Sequence, residues 1–115
     1  MDKINKIIEE RPWGGFEQFT LNEVSTIKIL TVKPGEAFSL QTHKNRTEFW
    51  HVLEGKGKIT VGEGTLDAGP GDEFLIGPGI NHRIEGISQI KVLEISFGQF
   101  DESDIVRIED KYNRI

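Results

Sequence analysis

At 115 residues the chain has room for one hydrophobic core, so a single domain over residues 1–115 is expected, burying about two-thirds of its unfolded surface. A composition of 36% hydrophobic and 29% charged residues excludes a disordered chain, and no apolar run approaches the roughly 18 residues of a spanning helix. The net charge of −5 argues against a nucleic-acid partner, which needs clustered Lys and Arg, and the absence of cysteine removes disulfides and thiolate catalysis.

Residues 1–10 mix charges with isoleucines and lack a continuous apolar signal core, so a cytoplasmic location is the default expectation and no membrane contact is foreseen. A short helix is expected near residues 3–9. Beyond it, Gly and Pro punctuate short runs that favour strands at 15–20, 26–32, 37–41, 48–53, 58–61, 72–76, 82–85 and 90–97. Glycine clusters at 55–57, 62–64 and 69–71 supply the hairpin turns, and a second helical segment is expected between residues 102 and 112. Many short strands with frequent turns point to an all-β sandwich or barrel.

Four side chains within this pattern carry donor atoms for a metal ion. Gln41 and His43 lie two apart and project to one face of a strand. Glu48 sits at an odd offset from His43, so a turn must intervene; the polar run Lys44-Asn45-Arg46-Thr47 suits a hairpin loop that lets Glu48 face His43 from the neighbouring strand. Gly77-Pro78-Gly79 forces a further turn, after which His82 opens a strand. Two imidazoles and two oxygen donors suit zinc, manganese, iron, cobalt or nickel and leave positions open to a substrate.

Alternation assigns faces to the longer strands. Glu48, Trp50 and Val52 share one side, expected to be the interior, and His51 lies opposite with a structural or interfacial role. Glu94 shares a face with Ser96, whereas Leu93, Ile95 and Phe97 form an apolar face. If Glu94 points inward it is a candidate base; if not, it is a surface carboxylate paired with a lysine. Lys44, Arg46, Arg83, Arg107 and Arg114 are candidate donors to an anionic substrate.

The spacing Gly35, Gln41, His43, Glu48, Gly55 resembles the first cupin motif, with glutamine where histidine is commonest, and Gly71, Gly79, His82 resembles the second. In the second, Gly77 stands at the usual proline, Pro78 is one place late and Gly86 replaces an asparagine. More specifically, Arg11-Pro12-Trp13-Gly14, Val32-Lys33-Pro34-Gly35, Ser39-Leu40-Gln41-Thr42-His43, Arg46-Thr47-Glu48-Phe49-Trp50 and the stretch from Asp104 to Tyr112 resemble type II mannose-6-phosphate isomerase. That is the cupin domain found at the C-terminus of bifunctional mannose-1-phosphate guanylyltransferases, and the resemblance covers residues 11–114.

The resemblance implies a cupin double-stranded β-helix, a jelly-roll barrel, with the short helical segments at its ends. It also implies reversible conversion of mannose 6-phosphate and fructose 6-phosphate with a divalent metal, zinc first among the possibilities, held by Gln41, His43, Glu48 and His82. Arg46 matches the arginine on which activity depends. Glu94 is the expected base for the C2 proton, with a metal-activated hydroxide or a free lysine as alternatives. Lys44, Arg83 and Arg107 are the expected substrate contacts, and small cupins resemble one another in forming homodimers. The family carries consecutive histidines where Lys44 and Asn45 stand, and a histidine at Phe49. That departure leaves room for two other functions: a non-catalytic cupin that binds a sugar or sugar phosphate, and another metal-cupin enzyme such as an oxygenase or a different sugar isomerase. No Gly-rich nucleotide-binding opening is present, so guanylyl transfer is not expected.

Overall fold

The computed structural model describes residues 6–114, which form eleven strands and, among the described residues, no helix. In chain order these are β1 (Ile7–Arg11), β2 (Gly14–Gln18), β3 (Ser25–Val32), β4 (Leu40–Thr42), β5 (Glu48–Glu54), β6 (Gly57–Val61), β7 (Gly64–Ala68), β8 (Glu73–Ile76), β9 (His82–Gly86), β10 (Ile90–Phe97) and β11 (Val106–Glu109). After the β1–β2 hairpin, two antiparallel sheets face each other, one in the order β3-β10-β5-β8 and the other in the order β11-β4-β9-β6-β7. Apart from the β6–β7 hairpin, successive strands from β3 onward alternate between the sheets. That alternation is the jelly-roll winding of a double-stranded β-helix, as the resemblance implies.

Four expectations need correction. The segment expected as a helix at 3–9 is strand β1 from Ile7 onward, with residues 3–5 outside the described residues, because Ile7 to Arg11 pair in full register with Gln18 to Gly14. The segment at 102–112 contains strand β11, whose Val106 and Arg107 pair with Thr42 and Gln41 and so extend the second sheet. Alternating Val-Arg-Ile-Glu serves that edge better than a helix with no sustained apolar stripe. Lys44 to Thr47 is not a hairpin loop, since β4 and β5 lie in different sheets and the segment crosses the barrel mouth between them. Finally, β7 occupies residues between two glycine clusters that were read as turns. It is an edge strand with Leu66 62% exposed, and so lacks the alternation that betrays a half-buried strand.

The interior divides into two halves along the strands. Trp50, Val52, Ile59, Ala68, Ile76, Ile84, Ile90 and Val92 pack into one apolar cluster with Val32, and Phe38 and Phe74 close against it. Inward positions change character along each strand: β5 runs Glu48, Trp50, Val52; β9 runs His82, Ile84, Gly86; β10, in the opposite sense, runs Ile90, Val92, Glu94, Ser96. The polar members therefore gather at one end of the barrel, on a floor of packed hydrophobic side chains. Gly86 explains one departure from the cupin pattern. Its N–H donates to the Glu36 carbonyl, and a Cβ there would stand 2.5 Å from the Lys33 carbonyl oxygen, so no larger residue fits without displacing backbone.

Candidate metal centre

Three strands and one crossing segment bring the donors together. Glu48 opens β5, His82 opens β9 opposite Gln41 of β4, and His43 follows β4 directly. Donor atoms of His43, Glu48 and His82 lie within 4.8 Å of one another, and all three residues are buried. Glu48 stands between the imidazoles, with Oε1 3.4 Å from His82 Nε2 and Oε2 3.6 Å from His43 Nε2. The Gly79 N–H donates to the His43 carbonyl at 2.7 Å, tying the turn before His82 to the segment that carries His43. Gly79 adopts φ 78°, a left-handed conformation that suits glycine.

Both imidazoles have their inner nitrogens prepared for a ligand role. His82 Nδ1–H donates to the Ile80 carbonyl at 2.9 Å and His43 Nδ1–H donates to the Asp104 carbonyl, so in each ring Nε2 carries the lone pair that faces the cluster. Burial depresses the His82 pKa below its ordinary value, which keeps that ring neutral. Among the described residues, Glu48 Oε1 and His82 Nε2 have no hydrogen-bond partner despite complete burial. Buried polar atoms without partners are costly, and a cation shared between this carboxylate and this imidazole satisfies both. The donor set and its outer supports therefore fit a divalent metal ion.

Gln41, the fourth expected ligand, is beside the group. Its Nε2 lies 3.4 Å from His43 Nε2, and its Oε1 accepts a bond from the Ser39 hydroxyl at 2.7 Å. Turning the amide by half a rotation presents Oε1 to the cluster instead, and the Ser39 hydroxyl, able to accept as well as donate, serves either orientation.

Arg46 is buried and reaches the centre from the crossing segment. Its Nε donates to Glu48 Oε2 at 2.9 Å, one terminal nitrogen to His43 Nε2 at 3.1 Å and the other to the Asp101 carbonyl at 3.1 Å, while Phe100 stacks on the guanidinium at 4.4 Å. Glu94 points inward, as the first of its two readings has it, and accepts a bond from Trp50 Nε1 at 3.1 Å. Burial and the nearby Glu48 charge raise its pKa to about 7.

The expected substrate contacts separate. Arg107 faces Gln41 across the β11–β4 pair, and its Nε is buried with no partner. Arg83 follows His82 and so takes the opposite face of β9, where it donates to the Phe38 and Glu109 carbonyls in a surface cleft with Lys111. Lys44 is exposed, held by its backbone rather than its side chain. Arg114 pairs with Asp110 at the surface. His51 lies on the outer face and bonds Glu73 at 2.6 Å, in keeping with a structural role.

Three residues at the centre were not singled out from the sequence for it. Ser96 lies opposite Glu48 on β10, fully buried with an unpartnered hydroxyl. Trp50 packs edge-on against His82 with ring centroids 5.5 Å apart, besides holding Glu94. Asp104 supports His43 through its backbone carbonyl. Parity placed Trp50 inside and put Ser96 on the face of Glu94 without saying which way that face turns; a backbone contact leaves no signal in the sequence.

The family described as mannose-6-phosphate isomerase, C-terminal, matches residues 3–110. The chain belongs to that family. The xanthan biosynthesis protein XanB of Xanthomonas campestris pv. campestris is 36% identical to this chain over 107 residues, covering 90% of this chain and 23% of that protein. The mannose-1-phosphate guanylyltransferase ManC of Salmonella typhimurium is 34% identical over 108 residues, covering 91% and 22%. The chain thus spans under a quarter of the length of these relatives. Among solved structures, a protein with a double-stranded β-helix domain from Klebsiella pneumoniae superposes with a TM-score of 0.64 at 18% identity, covering 78% of each chain, a likeness of fold.

Proposed function

We propose that the chain is a metal-dependent mannose-6-phosphate isomerase that interconverts mannose 6-phosphate and fructose 6-phosphate through an enediolate. The observation that carries this reading is the buried His43, Glu48 and His82 group with its two orphaned donor atoms, in a chain of this family. Gln41, His43, Glu48 and His82 would hold the metal, with zinc the first to test. Bound there, it would supply Lewis-acid stabilisation of the enediolate oxygens, worth several kcal/mol.

The protein's own groups account for the proton traffic. Glu94, with a pKa near 7, takes the C2 proton of the open-chain aldose and returns it to C1, while a proton passes from the C2 hydroxyl to the C1 oxygen; the isomers balance without any redox partner. The Trp50 N–H fixes the position of the Glu94 carboxylate. With His43 as a ligand through Nε2, the Arg46 N–H that this nitrogen now accepts would be free to donate to an enediolate oxygen, while Arg46 Nε keeps its bond to Glu48 Oε2. Arg107 is the best-placed phosphate contact because its Nε is buried, unpartnered and on the face shared with Gln41. Arg83 has its donors committed to carbonyls elsewhere and Lys44 is exposed, so both are weaker candidates.

A cytoplasmic setting and a homodimer complete the proposal. In support of the second, among the described residues the β1–β2 hairpin pairs only with itself and leaves Ile8 67% and Trp13 74% exposed, apolar surface that a second copy would cover. The reaction is tested by incubating mannose 6-phosphate with the metal-loaded protein in D2O. Deuterium appearing at C1 of fructose 6-phosphate and at C2 of recovered mannose 6-phosphate supports it; substrate recovered unlabelled and unconverted opposes it.

A further inference from the structure

The connection from β10 to β11 runs across the mouth of the barrel and touches the two working residues of the β4–β5 segment separately. Phe100 and the Asp101 carbonyl hold the Arg46 guanidinium. Asp104 does more, because it grips the segment at two levels. Its carbonyl accepts the His43 Nδ1–H, and its carboxylate accepts the backbone N–H groups of Lys44 at 2.8 Å and Asn45 at 2.9 Å. Those two N–H groups belong to an exposed crossing segment outside either sheet, so no strand partner secures them. The carboxylate therefore locks the backbone just after His43 to the residue whose carbonyl fixes the His43 ring.

We infer that Asp104 is a positioning residue for the metal centre: its carboxylate clamps the Lys44-Asn45 backbone so that its own carbonyl can hold His43 with Nε2 bare and aimed at Glu48. The inference rests on the metal reading of the site. It gives Asp104 a part in the centre although it contacts no candidate ligand atom. The clamp uses the backbone of residues 44 and 45 alone, so it does not depend on their side chains. Loss of a residue that orients a metal-bound histidine typically costs about 10- to 100-fold in metal affinity, the range expected here.

The test uses the full chain, stripped with chelator, as wild type, Asp104→Asn and Asp104→Ala. Binding of Co2+ and Zn2+ is measured by titration calorimetry, and the His43 tautomer is read from imidazole nitrogen shifts. The expected result is that wild type shows His43 protonated at Nδ1. Asp104→Ala binds both metals about 10- to 100-fold more weakly with a mixed His43 tautomer. Asp104→Asn, which keeps one acceptor oxygen, falls between the two, and the His82 resonances stay in place in both variants. Equal metal affinity in wild type and Asp104→Ala overturns the inference while leaving the metal centre intact. A wild-type chain with His43 protonated at Nε2 overturns it without recourse to any variant. A wild type that binds neither metal overturns the metal reading itself, a different failure.

Discussion

Glu48 Oε1 lies 3.4 Å from His82 Nε2, and among the described residues neither atom has any other polar partner although both are buried. In a metal-free interior this is a lone pair facing a carboxylate. The two strands that deliver the atoms belong to different sheets, so the pair is set by the packing of the whole barrel rather than by a local turn. Removing either member should therefore end metal retention. His82→Ala is expected to lower affinity by more than the roughly 10- to 100-fold that loss of a supporting residue costs. Equilibrium dialysis with elemental analysis checks it, and full occupancy in His82→Ala contradicts the site.

Arg46→Ala separates binding from turnover. The arginine donates to two candidate ligands and is not one itself, so the variant should keep its metal and lose about 100- to 1000-fold in kcat, the effect of deleting a donor to a developing oxyanion. Steady-state kinetics on protein of measured metal content decides this. A rise in KM with kcat unchanged would make Arg46 a binding group only.

Glu94 predicts a pH dependence. Burial and the Glu48 charge raise its pKa from 4.5 to about 7, so the folded protein retains a proton that the unfolded chain releases above pH 4.5. The associated stability is complete below pH 4.5 and is lost as pH rises through about 7. Activity runs the other way, since the base must be ionised: kcat should climb as pH approaches 7, and Glu94→Gln should abolish turnover and flatten that limb of the stability profile. Trp50→Phe removes a donor that favours the carboxylate and should move the limb upward. Paired pH–rate and pH–denaturation curves for the three proteins test this.

His82 contributes in the opposite sense. Its pKa is lowered by burial, so the unfolded chain binds a proton near pH 6.5 that the folded protein refuses. That contribution is present above pH 6.5 and is lost as pH falls through the lower folded value. Chelator-stripped protein should accordingly lose stability on acidification below that point, and His82→Asn should lose less. Urea midpoints at pH 7.5 and 5.5 measure the difference.

Much of the centre was legible because it is written in strand parity. Glu48, Trp50 and Val52 on β5 share one face, as do Glu94 and Ser96 on β10, and a period of two groups these side chains. The apolar Phe49 and Ile95 on the opposite faces, buried as well, are what left the direction of the Glu94 face open in the sequence. The terminal strands were not legible. Ile7 to Arg11 becomes a strand by pairing with the exposed Gly14 to Gln18, and the four-residue alternation of Val106 to Glu109 is too short to name a strand before its pairing with β4 is known. Arg83 was drawn toward the site by adjacency to His82, but adjacent residues on a strand face opposite ways. Asp104 acts on His43 across 61 positions through a main-chain oxygen, which carries no residue signature at all.

The most direct test of the account is a coupled assay for fructose 6-phosphate formed from mannose 6-phosphate, using chelator-stripped protein titrated in turn with zinc, manganese, cobalt, iron and nickel. The account predicts no turnover without metal and restored turnover with at least one of them, saturating at one ion per chain. Protein that takes up metal and turns over with none would contradict the isomerase assignment and leave a metal-binding cupin with another ligand or reaction.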